Sequence, residues 1–255
     1  MAALGRLFYD SQARRLGPLL RGHLLLFDQR APPTYSAATG ARLLVIVAVL
    51  ELVVGPRFHF LNWLGEYWPA WLRVPLLLAA ALLAVRWWAK ARFGDIGFLR
   101  WRDWTATEKL YFPQVVLLAN AVFLFVYFGA LAPLVHYPRI WPRAALLVGG
   151  ELLWGFYQEL VYRGILQTEL TRRFGNVRGP LLANLAYTFG PLHFYHLTSG
   201  YSAGHVVGVL AATFAIGLLF TFIFHRTRNV WLVGVCHGIG NAYMNGARHI
   251  AGLMS

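Results

Sequence analysis

The sequence predicts an all-α fold: a polytopic membrane helical bundle of about seven spans, preceded by an N-terminal amphipathic segment at the membrane interface. Three observations carry this. Of 255 residues, 58% are hydrophobic and 13% charged, with mean hydropathy +0.52, which leaves too little polar surface to cover a water-soluble globule. The apolar residues fall in runs long enough to cross roughly 30 Å of hydrocarbon at about 1.5 Å per residue. The formal net charge of +13 sits mainly in the short connectors between those runs. There Lys and Arg read as topology signals and headgroup contacts rather than as a nucleic-acid surface, so no nucleic-acid partner is expected.

Residues 1–36 form the interfacial segment and its connector. Leu4, Leu7, Phe8, Leu16, Leu19 and Leu20 alternate with Arg6, Arg14, Arg15 and Arg21, broken at Gly17-Pro18. Asp10 and the arginines interrupt any signal-peptide core, so no cleavable leader is expected. The transmembrane domain then runs over 37–255. Its first span is predicted at 38–55, with Glu51 near the far end placed at the interface. Residues 56–71, rich in Trp, Pro and Phe, read as an outer aromatic belt. The second span, 72–89, ends in Trp87, Trp88 and Lys90, and a mixed interfacial segment follows over 94–111. The third span is predicted at 112–135, and Pro138–Arg143 makes a tight turn. The fourth covers 144–170, the fifth 180–197 with a kink at Pro191, the sixth 205–224, and the seventh Val230 to about Tyr243.

Most of the 23 Lys and Arg fall on one side when the spans alternate from a cytoplasmic N-terminus. The bias predicts a multi-pass protein with its N-terminus in the cytoplasm, and the Arg-, Leu- and Ala-rich composition suits a GC-rich bacterium, so a bacterial inner membrane is the expected setting. Cys236 is the single cysteine, which excludes an intrachain disulfide and an all-cysteine metal site.

The polar residues inside the spans need a reason, because a charge at the bilayer centre costs at least about 2.5–3.5 kcal/mol. The fourth span carries Glu151, Gln158, Glu159 and Arg163. Glu159 and Arg163 stand four apart and can pair on one helical face, and a pair that merely holds helices together would account for them. The fifth span adds His193, with His196 one turn on, and the seventh adds His237 and Asn241, again four apart. Each histidine alone reads as a helix-packing hydrogen bonder. Together, a carboxylate, two imidazoles and a carboxamide supply a base for water, a proton carrier and donors for an oxyanion.

Gln158-Glu159-Leu-Val-Tyr-Arg163, Phe189 to His193, and His237 to Asn241 give the order Glu-Glu-x-x-x-Arg, Phe-x-x-x-His, His-x-x-x-Asn, with one change. The chain thereby resembles the CAAX protease and bacteriocin-processing family, the Rce1-type glutamic intramembrane proteases that include the bacterial myxosortase branch. The resemblance covers about 144–245. It implies that the first Glu of the pair and His193 activate water, that His237 and Asn241 stabilise the oxyanion, and that Arg163 and Phe189 support the site. It also implies a protein substrate with a hydrophobic or lipid-modified C-terminal segment in the bilayer, and no cofactor.

The change is Gln158 at the first acidic position, since a carboxamide cannot take a proton from water near neutral pH. Glu159 can serve instead, although one residue along a helix turns a side chain by about 100° and Arg163 is its natural partner. The chain can equally be a silent relative that binds hydrophobic tails without cutting them, or Gln158 can be an engineered replacement. Glu151, two turns before Gln158, is a weaker source of a carboxylate, with its place expected at the interface. Two further classes compete. A small transporter could relay protons through His and Glu, but no inverted repeat shows. A zinc protease could use His193, His237 and a carboxylate, but the spacing is not a recognised zinc motif.

Overall fold

The computed structural model describes residues 30–54, 70–193, 197 and 200–254. The amphipathic segment up to residue 29, most of the aromatic loop and His196 lie outside the described residues. All regular structure among those described is helical. Among the described residues there are seven α-helices: α1 Ala37–Val54, α2 Ala70–Leu83, α3 Ala106–Leu131, α4 Trp141–Glu159, α5 Thr168–Phe189, α6 Ala203–Thr227 and α7 Val230–Met254. The stretches Trp71–Trp88, Ala106–His136 and Ala203–Thr227 are each long and apolar enough to cross a membrane.

Local chemistry sets the helix ends. Thr105 caps α3 by accepting from the Glu108 backbone N–H at 3.2 Å, while the Glu108 carboxylate accepts from the Thr105 N–H at 2.7 Å. Pro142 occupies the first turn of α4, where its missing N–H costs nothing. Ser202 caps α6 by accepting from His205 N–H. The mixed 94–111 segment is two short 3-10 turns, Phe93–Ile96 and Trp101–Asp103, leading into α3. It clamps the start of α7: Val230 N–H donates to the Gly97 carbonyl and Trp231 Nε1 to the Leu99 carbonyl, both at 2.9 Å.

Two features depart from the expected spans. The fifth helix ends at Phe189 instead of kinking at Pro191, because a residue before proline is driven out of helical geometry and Gly190 is extended (φ −77°, ψ −178°). The bend in α5 lies earlier, at Gly175, whose φ of +83° only glycine adopts without strain. The fourth helix, in turn, does not stay α. From Leu160 to Gln167 it widens into a π-helix with i to i+5 hydrogen bonding.

α4 and this π segment form the centre of the bundle. α7, α2, α1 and α6 pack against them, and α3 packs on α7. Leu43, Ile46, Val47 and Leu50 line the inner face of α1, meeting Leu160, Val161 and Ile165 in one core. Where α4 crosses α7, backbone meets backbone. A Cβ on Gly155 would lie 2.5 Å from Gly238 N, and one on Gly238 would lie 2.4 Å from the Leu152 carbonyl oxygen. Small residues at such a crossing let membrane helices approach closely. Gly155→Val should therefore force α4 and α7 apart and destabilise the fold by about 1–3 kcal/mol, a typical overpacking cost. Thermal unfolding in detergent should show a lowered midpoint, with Gly149→Val, where a Cβ meets nothing within 4 Å, as the neutral control.

Candidate active site

The end of α4 delivers Gln158 and Glu159 into the centre of the bundle, and the first π turn delivers Arg163. All three are buried, Glu159 and Arg163 completely. Their expected pairing is present: Arg163 Nε stands 3.3 Å from Glu159 Oε2. Arg163 also donates from Nη2 to the Gly217 carbonyl at 2.9 Å and to Asn184 Oδ1 at 3.3 Å, and its guanidinium stacks 4.3 Å from the centre of the Tyr187 ring. Gly217 makes this approach possible, because a Cβ there would lie 2.2 Å from Asn184 Oδ1 and 3.1 Å from Arg163 Nη2. One turn on, Gln167 Nε2 donates to the Thr221 carbonyl at 3.0 Å.

Sequence spacing did not foretell that Glu159 serves two partners. Its Oε1 lies 2.7 Å from His237 Nδ1. The carboxylate can only accept, so Nδ1 carries the proton and the ring is fixed with Nε2 free. The Gly155–Gly238 crossing sets the register that brings His237 to Glu159, since Gly238 is the next residue of α7.

His193 follows the end of α5, in a turn closed by its own N–H to the Gly190 carbonyl at 3.1 Å. Its Nδ1 stands 2.8 Å from the Tyr187 carbonyl oxygen. A carbonyl also only accepts, so this imidazole too carries its proton on Nδ1 and keeps the Nε2 lone pair. The Tyr187 ring meets both histidines edge to face, with centroids 4.8 Å from His193 and 6.1 Å from His237. Tyr187 thus relates the two imidazoles, and Phe220 stacks on His237 at 5.6 Å. Asn241 is buried on α7, one turn beyond His237. Phe189, at the tip of α5, is 53% exposed and is not part of this buried group.

Two carboxylates expected at the interface face groups on other parts of the bundle. Glu151 accepts from Asn245 Nδ2 at 3.1 Å, tying α4 to α7. Glu51 lies on the inward side of α1, where its carboxyl faces the Tyr162 hydroxyl and the backbone N–H of Leu192. The spacing Leu43, Val47, Glu51 places all three on one helical stripe, and Leu43 and Val47 are buried. That spacing was the available signal. It was hidden because α1 is apolar all round.

Among the described residues, no group of three or more His, Cys, Asp or Glu side chains is gathered as a metal site would need. A cavity of about 1060 Å³ opens at the 86–104 segment, lined by Arg86, Arg92, Phe98, Trp101, Trp104 and Trp231 among others; none of the motif residues lines it.

The fold is that of a helical membrane protein with a polar cluster sealed between its motif helices. Residues 139–243 match the family model described as Rce1-like, Type II CAAX prenyl endopeptidase. No curated protein and no solved structure matches the chain.

Breaking a buried ion pair by removing one partner typically costs about 3–5 kcal/mol, whereas replacing both can be close to neutral. Glu159→Gln should therefore strongly lower thermal stability in detergent by leaving Arg163 uncompensated. The double variant Glu159→Gln with Arg163→Met should regain most of that loss. Equal instability of the single and double variants would show that the pair contributes nothing beyond packing.

Proposed function

We propose that the chain is an intramembrane endopeptidase that hydrolyses a peptide bond near the C-terminus, or within a membrane segment, of a protein substrate. The observation that carries this reading is the pair of imidazoles that both meet the Tyr187 ring, one held through Nδ1 at the Tyr187 carbonyl and the other through Nδ1 at Glu159. It falls inside the stretch that matches an endopeptidase family.

In this reading His193, whose Nε2 keeps its lone pair, takes part in removing a proton from water. Asn241 donates to the oxyanion as the carbonyl becomes tetrahedral, His237 does so from Nε2 in its doubly protonated form while Nδ1 stays on Glu159, and the Gln158 carboxamide adds a further donor. Glu159 works through His237 and is a positioning residue. Arg163, itself bonded to Asn184 Oδ1, holds Glu159 in turn. The proposed substrates are hydrophobic or lipid-modified C-terminal tails, processed in maturation or sorting as in the myxosortase branch. The proposed setting is a bacterial inner membrane, with the N-terminus cytoplasmic on the Lys and Arg distribution.

Gln158 favours a second reading, a silent relative that binds such tails without cutting them. A cleavage assay on the purified full chain separates the two, using fluorogenic transmembrane peptides that end in apolar and farnesylated tails. As an endopeptidase the chain cleaves, His193→Ala loses about 10²–10⁴-fold in kcat, and Asn241→Ala about 10²–10³-fold. Binding of the peptides without any cleavage, by the parent and by Gln158→Glu alike, would support the silent relative. Cleavage should also survive dialysis against a zinc chelator. One zinc per chain, lost together with activity, would transfer the mechanism to metal-activated water.

A further inference from the structure

Hydrolysis of a peptide bond needs a group that accepts a proton from water, and imidazole is commonly assisted in this by a carboxylate. The described glutamates of this chain can be taken one by one. Glu108 is committed to the cap of α3 and to Arg30. Glu151 holds Asn245. Glu159 is divided between Arg163 and His237 Nδ1. Glu169 holds Tyr35, Arg172 and Arg173. Glu51 has no such bond to an Arg, His or Asn side chain among the described residues, although one oxygen each of Glu108 and Glu159 is buried and unpaired as well. The Glu51 Oε2 is buried without a hydrogen-bond partner among the described residues, and so is the Tyr162 hydroxyl that it faces. The two oxygens stop short of bonding geometry. A buried polar atom left unpaired costs free energy, so a pair of them side by side is expected at a place where a further polar group is taken up.

That place is at the motif residues. Glu51 faces Tyr157, Tyr162 and Leu192. Tyr157 and Leu192 are the chain neighbours of Gln158 and His193. The Tyr162 hydroxyl lies 3.8 Å from where a Cβ of Gly190 would stand, beneath the turn whose Gly190 carbonyl accepts from His193 N–H. α1 therefore brings a carboxylate to the junction between the Gln158 helix and the His193 turn.

We propose that Glu51 is a catalytic residue of this site, supplying the carboxylate that, with His193, removes the proton from the attacking water. The inference rests on the endopeptidase reading. The Glu51 carboxylate takes one proton from water, and the hydroxide oxygen forms a bond to the scissile carbonyl carbon. The carbonyl electron pair moves to oxygen and then returns as the C–N bond breaks. The proton held by the Glu51 and His193 pair goes to the leaving nitrogen, so the products are a carboxyl terminus and an amine. The carboxylate thus comes from the first described helix instead of from the Gln158 position.

The test uses the full chain in proteoliposomes with the same fluorogenic apolar and farnesylated peptides. Glu51→Gln should lower kcat by about 10²–10⁴-fold at little change in KM and flatten the acidic limb of the kcat against pH profile. Glu51→Asp, which keeps the charge on a shorter arm, should retain part of the rate. Adding Gln158→Glu to Glu51→Gln should restore cleavage by returning a carboxylate to the same junction. Melting temperatures close to the parent's in both single variants separate chemistry from folding; should Glu51→Gln melt early, the Glu51→Asp profile decides. Parent-like cleavage by Glu51→Gln overturns the proposal. A silent parent beside an active Gln158→Glu variant also overturns it, while leaving the endopeptidase reading in place. Silence of both on every peptide overturns both.

Discussion

The structure depends on a buried ion pair that would be unfavourable on its own. Taking a carboxylate and a guanidinium out of water costs several kcal/mol per ion even after relaxation, and the pair survives only if its remaining hydrogen-bonding capacity is used. Glu159 and Arg163 meet part of that requirement by recruiting four groups from three other helices, His237 from α7, Asn184 and Tyr187 from α5, and the Gly217 carbonyl from α6, while Glu159 Oε2 and Arg163 Nε and Nη1 have only the ion pair. Solvation of one charge pair is thus the reason three further helices converge at one level. The polar cluster and the fold are the same set of contacts.

Some of this was legible in the sequence. The spacing of Glu159 and Arg163 announced their pairing, and the apolar runs announced the helices. The rest was hidden for identifiable reasons. That His237 reaches Glu159 depends on the register of α7 against α4, which is set by Gly155 and Gly238, and glycines carry no periodic signal. The π segment Leu160–Gln167 was invisible because the apolar pattern there fits an ordinary helix equally well. Pro191 was read as a kink, but the proline acts on the residue before it and simply ends α5.

Glu51 shows a more general limit. In a soluble helix one face is polar, so an inward residue is recognised by the company it keeps. In a bilayer the outer face of α1 is as apolar as the inner one, and a single carboxylate near the helix end cannot be assigned to lipid headgroup or to core from composition. Only the placement of α1 against the π segment distinguishes the two. The fourfold commitment of the other glutamates is likewise a property of tertiary structure, not of spacing.

The two flanks of the central helices differ in what holds them. On one flank, α6 is stitched to the π segment through main-chain carbonyls, Gly217 to Arg163 and Thr221 to Gln167. On the other, α3 meets α7 through the Phe123 and Tyr243 rings and one bond from the Tyr243 hydroxyl to Asn120 Oδ1. In hydrocarbon, apolar contact between helices gains little over contact with lipid tails, so such a flank is nearly exchangeable with the membrane, whereas the stitched flank is not. A molecule arriving sideways through the lipid therefore meets one wall that yields and one that does not, and the bundle has a front and a back.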